Sequence, residues 1–404
     1  MTIKSKIARL ALLLVSASLF SCNHYNGTDG DDVTNININD LPTEDSVYLS
    51  DIMEISRYIV LETPSDEHLV GEISKIIHAD SLFIILDQIT SSIFVFEHTD
   101  GKMISHISKL GRGHGEYLSI IDIAYNTRDK TIGVLTPHKI ITYDCKGNCV
   151  KEDAKFEYFA SFMDYMSDGT IALCPFYSSN TINGQKVHYN LILTDSSNRY
   201  KNGFLDFDEQ LYSRQTGQTF AREDNKTLLF FQRYDDNVYK INEDGVKLCY
   251  RIDYGNSNKE IGDEIVNIAK QENQNPYKVY EIEKDKGYCS LLQFYSMKNW
   301  IYLTYQQGNN FNYVFFSKTG IGGKHYKSSV VEKENPIPFI NDYDSAPFYY
   351  FILGYGDNHL LSFTSPEHLM ASKDVNNDKL NAVQKKLKTG GNYVLVEFNI
   401  KSTI

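Results

Sequence analysis

The chain has 404 residues and a formal net charge of −12, from 40 Lys and Arg against 52 Asp and Glu. Such a surface repels nucleic acid and anionic lipid head groups, and no basic patch with interleaved aromatics offsets it. With 29 Tyr, 22 Phe and only 9 Pro, the composition suits pleated, half-buried strands better than helices.

In chain order, Lys4, Lys6 and Arg9 form a short positive region ahead of an apolar stretch over residues 10–20. That stretch is too short for a bilayer core of about 30 Å, which takes about 20 helical residues. It has the length and flanks of a secretory signal. It ends in Leu19-Phe20-Ser21-Cys22, which resembles the lipobox of bacterial lipoproteins, so residues 1–21 are expected to be removed and Cys22 lipidated. Phe20 is larger than usual for its position. The competing reading is an ordinary secretory signal with a Cys near its cleavage site. Several acyl chains on one Cys hold a protein at a membrane without a transmembrane helix. Residues 23–46, polar and rich in Asn, Asp, Gly and Thr, read as a flexible tether. The expected organisation is therefore a signal peptide over 1–21, a tether over 22–46 and one folded domain over 47–404. Asp29, Asp31 and Asp32 resemble an acidic export tag to the cell surface, which leaves periplasmic and surface exposure both open.

The folded domain repeats. Runs of about five residues rich in Ile, Val, Phe and Tyr, separated by Asp, Gly or Ser, predict strands at 73–77, 82–87, 92–96 and 103–107. The pattern recurs over 120–152, 162–205, 218–252, 289–326 and 349–398. Four short antiparallel strands at a period of about 40–60 residues predict a β-propeller. The sixth unit shows only three strands, and the apolar run 55–61 ahead of the first unit can supply the fourth. The predicted fold is thus an all-β, six-bladed propeller closed by an N-terminal strand, because closure removes an open sheet edge. Two insertions, 259–283 and 366–388, carry helical apolar spacing. They either flank the channel mouth or merely cover a blade.

Six Cys include Cys22. Cys145 and Cys149 bracket a turn and either form a disulfide, as an oxidising compartment allows, or remain two free thiols. Cys174, Cys249 and Cys289 lie in apolar strands and read as buried thiols. No CxxC or Cys/His metal spacing is present.

The segments Arg57-Tyr58-Ile59-Val60-Leu61-Glu62-Thr63, Leu69-Val70-Gly71-Glu72-Ile73, Ile93-Phe94-Val95-Phe96 and Asp100-Gly101-Lys102 resemble the six-bladed, TolB-like or NHL-like propeller lipoproteins of Gram-negative gut anaerobes. So do Gly111-Arg112-Gly113-His114-Gly115-Glu116-Tyr117 and Tyr393-Val394-Leu395-Val396-Glu397-Phe398, although the family usually has Pro where this chain has His114. The resemblance covers roughly residues 50–400. It implies the propeller and the anchor but no activity.

The 111–117 segment fails as a dinucleotide loop, because Glu116 stands where the third Gly belongs and a strand follows instead of a helix. Two readings remain. In one, Arg112, His114, Glu116 and Tyr117 line one mouth of the propeller and bind a ligand. In the other, the segment is a blade-to-blade crossover in which Arg112 pairs with a carboxylate such as Glu116. Asp122 and Asp164, with His78, Asp80 and Asp87, could converge on a channel and hold Ca²⁺, but too few blades carry equivalents for a cage. No nucleophile, base and orienter can be paired by spacing alone. Aromatic clusters at 349–351 and 311–316 could stack on sugars, or fill the core. The expected function is a non-catalytic binding or scaffold module of the outer membrane, anchored by lipid, for a glycan, peptide or protein partner. No cofactor and no nucleic acid enter this reading. The alternative is a Ca²⁺-dependent hydrolase or lyase acting inside the channel.

Overall fold

The predicted apolar runs form strands, except that residues 349–352 lie ahead of the inner strand of blade 6 at Leu353–Tyr355, and consecutive strands of a blade pair antiparallel across turns built on Gly, Asn and Asp. The computed structural model describes residues 33–404 except 154–155, 209–216, 225, 243–244, 256–257, 272–274, 321, 330–336 and 373–377. Cys22, Asp29, Asp31 and Asp32 lie outside the described residues. Among the described residues, no helix is long and apolar enough to cross a membrane.

Blade 1 comprises Lys75–Ala79, Leu82–Asp87, Ser92–Glu97 and Met103–Ile107, paired in that order from channel to rim. Blades 2 to 5 repeat the meander, beginning at Asp122, Phe162, Phe220 and Cys289. Blade 6 takes three strands from the C-terminal part of the chain, Leu353–Tyr355, His359–Thr364 and Val394–Ile400. Its outer strand is Met53–Val60, antiparallel to Val394–Ile400. The six-bladed ring thus closes through an N-terminal strand, as the incomplete sixth repeat predicts. Among the described residues one apolar cluster fills each seam. Ile84, Val95, Ile123 and Val134 meet between blades 1 and 2, for example, and Trp300, Tyr302, Phe315, Leu360 and Phe398 meet between blades 5 and 6.

The N-terminal segment departs from expectation. From Thr34 onward, the predicted tether is a strap laid along blade edges. Thr34–Asn37 pairs in parallel with the outer strand of blade 4, and Thr43–Glu44 with that of blade 5. Val47–Tyr48 pairs with Phe339–Ile340, and the chain then enters blade 6. The physical reason is burial: Ile36 and Ile38 are 0% and 1% exposed, packed with Leu229, Tyr250 and Ile252. The strap also covers two open edges that would otherwise template pairing.

Because neighbouring strands alternate in direction, two kinds of connection share one face of the ring. These are the link between the second and third strands of a blade and the crossover to the next blade. This upper face carries every insertion described: the hairpin Asn180–Ile182/Gln185–Val187 of blade 3, the helices Asn258–Gln271 and Pro276–Lys286, and the helices Pro366–Ala371 and Asp378–Gln384. The first helix pair packs Ile265, Ala269 and Val279 on Tyr177 and Tyr288, locked by the buried Arg233–Glu283 pair. The second pair packs Leu369, Leu380 and Val383 on Val394 and Val60. Both therefore cover blade surface on the face where the channel opens.

Candidate functional site

A cavity of about 600 Å³ opens on the upper face where the six inner strands begin. Its walls mix apolar Ile73, Phe162 and Phe220 with polar Lys75, Asp122, Asp164, Gln88, Gln218 and Gln293. Several of these polar groups bind across seams. Gln88 donates to Ile121 O at 2.7 Å, and Lys75 Nζ sits 2.7 Å from Asp122 Oδ1. Asp122 Oδ2 accepts the Met163 N–H at 2.9 Å. Arg222 pairs with Asp164 at 2.5 Å, and Gln293 donates to Phe351 O at 3.1 Å. These bonds bring charge into the channel and neutralise it there.

Of the predicted positions, Asp122 and Asp164 reach the cavity, each paired with a cation, while His78, Asp80 and Asp87 do not line it. Asp122 is 3% exposed; burial pushes its carboxyl up against the pull of Lys75. Asp87 accepts the N–H groups of Gly71 and Thr90, and Asp80 accepts the Tyr125 hydroxyl at 3.0 Å. Among the described residues, no group of three or more His, Cys, Asp or Glu is placed to hold a metal ion.

Aromatic residues stand at the cavity's rim on blade 6. Tyr350 lines the cavity and is 43% exposed, beside Tyr349 at 39%. The Tyr349 ring stacks on Phe363 at 5.6 Å between centroids, and Phe363 meets Tyr393 edge-on at 5.1 Å. The next residue, Phe351, turns inward and is fully buried, so the 349–351 cluster is divided between rim and core. Around the mouth, Leu69, Ile89, Leu118 and Phe159 are also exposed, each in an upper-face connection. The lower-face turns carry none of the large exposed apolar residues among the described ones.

The 111–117 segment lies elsewhere. It is the crossover from blade 1 to blade 2, and none of Arg112, His114, Glu116 and Tyr117 lines the cavity. Tyr117 is 1% exposed, and its hydroxyl donates to Ser91 O or Ile107 O at about 3 Å; it anchors the loop. Glu116 folds back to accept the Gly113 N–H at 2.7 Å instead of pairing with Arg112, which is exposed. Gly115 has φ +69°, and a Cβ there would meet Cys149 Cβ at 2.9 Å, so glycine is required where the loop crosses the outer strand of blade 2.

That strand brings together residues with no sequence signal for it. His114 Nε2 lies 4.0 Å from Cys149 Sγ, and His114 Nδ1 lies 3.3 Å from Glu152 Oε2. Glu152 also accepts the Gly115 N–H at 2.5 Å and pairs with Lys139 at 2.9 Å. Cys145 and Cys149 are both free, the second of the two readings their spacing allows. Cys149 faces Tyr143 across the hairpin, beside a bulge, while the Cys145 thiol points to Lys130 O at 3.6 Å. Cys174 and Cys289 are buried and Cys249 is half-buried.

A second cluster that sequence spacing does not reveal lies on the lower face, where blade 6 meets blade 1. Arg57 makes a two-pronged pair with Glu397 at 3.1 and 2.9 Å and donates to His98 O at 3.1 Å. Tyr355 donates to Glu397. The His78 ring packs between those of His98 and Tyr355, at 4.5 and 4.2 Å. Burial pushes His78 down to about 4, helped by His98. Burial opposes ionisation of Glu397, but the bonds from Arg57 and Tyr355 prevail and hold it at about 2.

The closed ring with one open mouth is that of a six-bladed β-propeller. The chain belongs to the family described as a domain of unknown function, DUF4934, whose profile matches residues 33–399. A protein from Bacteroides fragilis described as exported is similar in fold, with a TM-score of 0.71 at 16% identity over 91% of this chain and 100% of that one. A member of the DUF4221 family from Bacteroides vulgatus is similar at a TM-score of 0.51 and 10% identity, covering 86% and 98%. No curated protein matches the chain.

Proposed function

We propose that the protein is a non-catalytic binding module of the cell envelope whose upper mouth receives a glycan, peptide or protein partner. The observation that carries this reading is the asymmetry of the ring. Cavity, insertions and the exposed aromatics Phe159, Tyr277, Tyr349 and Tyr350 share the upper face, while the lower turns are polar. The stacked rim of Tyr349, Phe363 and Tyr393 favours a glycan among these partners, because a sugar ring offers C–H groups to an aromatic face and hydroxyls to amides. No cofactor enters this reading.

Anchoring through Cys22 belongs to the same proposal, as do outer-membrane placement, on the periplasmic or the surface side, and kinship with TolB-like and NHL-like lipoproteins. With the strap beginning at Thr34, eleven residues separate Cys22 from the first strand. That is shorter than a tether running to residue 46, so the anchor would hold the ring closer to the bilayer.

Calorimetric titration against soluble oligosaccharides and peptides tests the binding reading. Tyr349→Ala combined with Tyr350→Ala is expected to weaken a bound oligosaccharide at least tenfold with the fold intact. Absence of binding by either class at millimolar concentration would sink the proposal.

A further inference from the structure

The crossover loop and the outer strand of blade 2 place a nucleophile, a base and an orienting carboxylate in sequence: Cys149, His114 and Glu152. The two imidazole nitrogens have separate tasks. Nε2 lies 4.0 Å from the thiol, which also donates to Lys151 O at 3.8 Å, and Nδ1 lies 3.3 Å from a Glu152 carboxylate oxygen. This is the order required for a base to take a thiol proton while a third group fixes its tautomer. Glu152 is itself held by the Gly115 N–H and by Lys139. Glycine at 115 removes the Cβ that would press on the sulfur. Burial and the Glu152 charge push the Cys149 thiol above its ordinary value, so thiolate does not stand there unaided and reactivity depends on His114 accepting the proton. The other charged groups of this corner are Glu116, folded onto Gly113, and Lys151, paired with Asp153.

Acyl transfer does not fit this site. A tetrahedral oxyanion needs free N–H donors, and the Gly113 and Gly115 N–H groups are both committed to carboxylates. Thiol–disulfide exchange needs only thiolate and access. We propose that Cys149 is an exchange site at which a low-molecular-weight disulfide forms a mixed disulfide with the protein. His114 takes the Cys149 proton. The thiolate attacks one sulfur of the disulfide, the S–S bond breaks, and the second sulfur leaves as a thiolate that recovers the proton. Electrons balance because the incoming disulfide is the oxidant. Cys145, turned toward Lys130, is not placed to resolve the adduct, so the mixed disulfide persists.

The aromatic disulfide 5,5′-dithiobis(2-nitrobenzoate) serves as the probe, with the intact folded chain. Release of its coloured thiolate gives the rate, and peptide mapping by mass spectrometry gives the position. Cys149 is expected to react first, with a rate–pH profile that has a shoulder below the thiol's own titration. His114→Ala is expected to slow the reaction at pH 7 at least tenfold and to abolish the shoulder. His114 is 79% exposed at its side chain, so this variant leaves folding intact, as an unchanged melting curve will show. Cys149→Ser is expected to remove the fast phase. First labelling at Cys145 would overturn the proposal, as would a Cys149 rate and profile indifferent to His114→Ala.

Discussion

The N-terminal strap with its closing strand and the mouth of the channel treat polar and apolar groups in opposite ways. Along residues 34–60, most of the large aliphatic side chains are turned inward: Ile36 and Ile38 enter the seam between blades 4 and 5, Leu49, Ile52 and Ile55 that between blades 5 and 6, and Arg57 is spent on Glu397 and His98. At the mouth, Tyr349, Tyr350, Ile89 and Phe159 remain exposed, although the core has room for aromatics at every seam. The difference separates what holds the ring from what the ring can offer. It predicts that substitutions in the first region act on stability, and those in the second on binding.

The largest effect is expected from Arg57→Ala. The side chain of Glu397 is 5% exposed, and removing its partner leaves a carboxylate in the blade 6–blade 1 seam with no cation to match it beyond the nearby histidines, its remaining bonds coming from Tyr355 and Ser56. Breaking one partner of a buried pair costs about 3–5 kcal/mol, to be read as a lower midpoint in urea unfolding. A loss below about 1 kcal/mol would place Arg57 with the mouth residues and erase the contrast.

Next is Ile36→Ala. Were residues 34–46 a free tether, the substitution would be neutral. As a strap filling a seam, it is expected to lose about 2–5 kcal/mol for a buried large-to-small change. Tyr349→Ala and Tyr350→Ala, by contrast, should each cost under about 1 kcal/mol, since surface changes away from buried networks act weakly. A cost equal to that of Ile36→Ala would make the rim part of the core and weaken the binding proposal.

Local sequence signals reach one of these regions better than the other. The blades are legible because each strand is a short apolar run whose turn lies beside it, as in Leu82–Asp87 and Ser92–Glu97. The strap is not, because its apolar residues are sparse and its partners lie far along the chain: Thr34 pairs with Tyr250 and Thr43 with His325. The closing strand was inferable only from counting, since blade 6 lacked a fourth strand. For the candidate sites, the same division holds. Residues 111–117 are conspicuous by their glycines, yet what His114 faces depends on a strand 35 residues later. The spacing of Cys145 and Cys149 left a bridge and two free thiols both open, and what separates them is a local detail, the bulge that offsets the hairpin register and sets Cys149 opposite Tyr143. The cavity lining draws short runs of residues from the starts of all six inner strands, so no window of sequence contains it.

The smallest effect expected at the holding region is its acid sensitivity. In the folded ring His78 titrates at about 4, below the roughly 6.5 of an unfolded histidine. The unfolded chain therefore takes up this proton first. The stabilising contribution is fully present above pH 6.5, declines as the pH falls toward 4, and changes no further below that. Full expression of such a shift is worth up to about 3 kcal/mol. Glu397, held at about 2, acts in a separate and lower window, losing its contribution only as the pH falls from about 4.5 toward 2. Urea unfolding at pH 7 and pH 4.5 spans the first window, which His78 shares with His325, also pushed down to about 4 by burial, so a variant at His78 is needed to separate its part. His78→Phe keeps an aromatic ring between His98 and Tyr355 but removes the titrating nitrogens, so its stability is expected to fall less between those two pH values. An unchanged pH dependence would show that the acid sensitivity of the ring resides outside the closing seam, and the holding region would then owe its strength to Arg57–Glu397 and the strap alone.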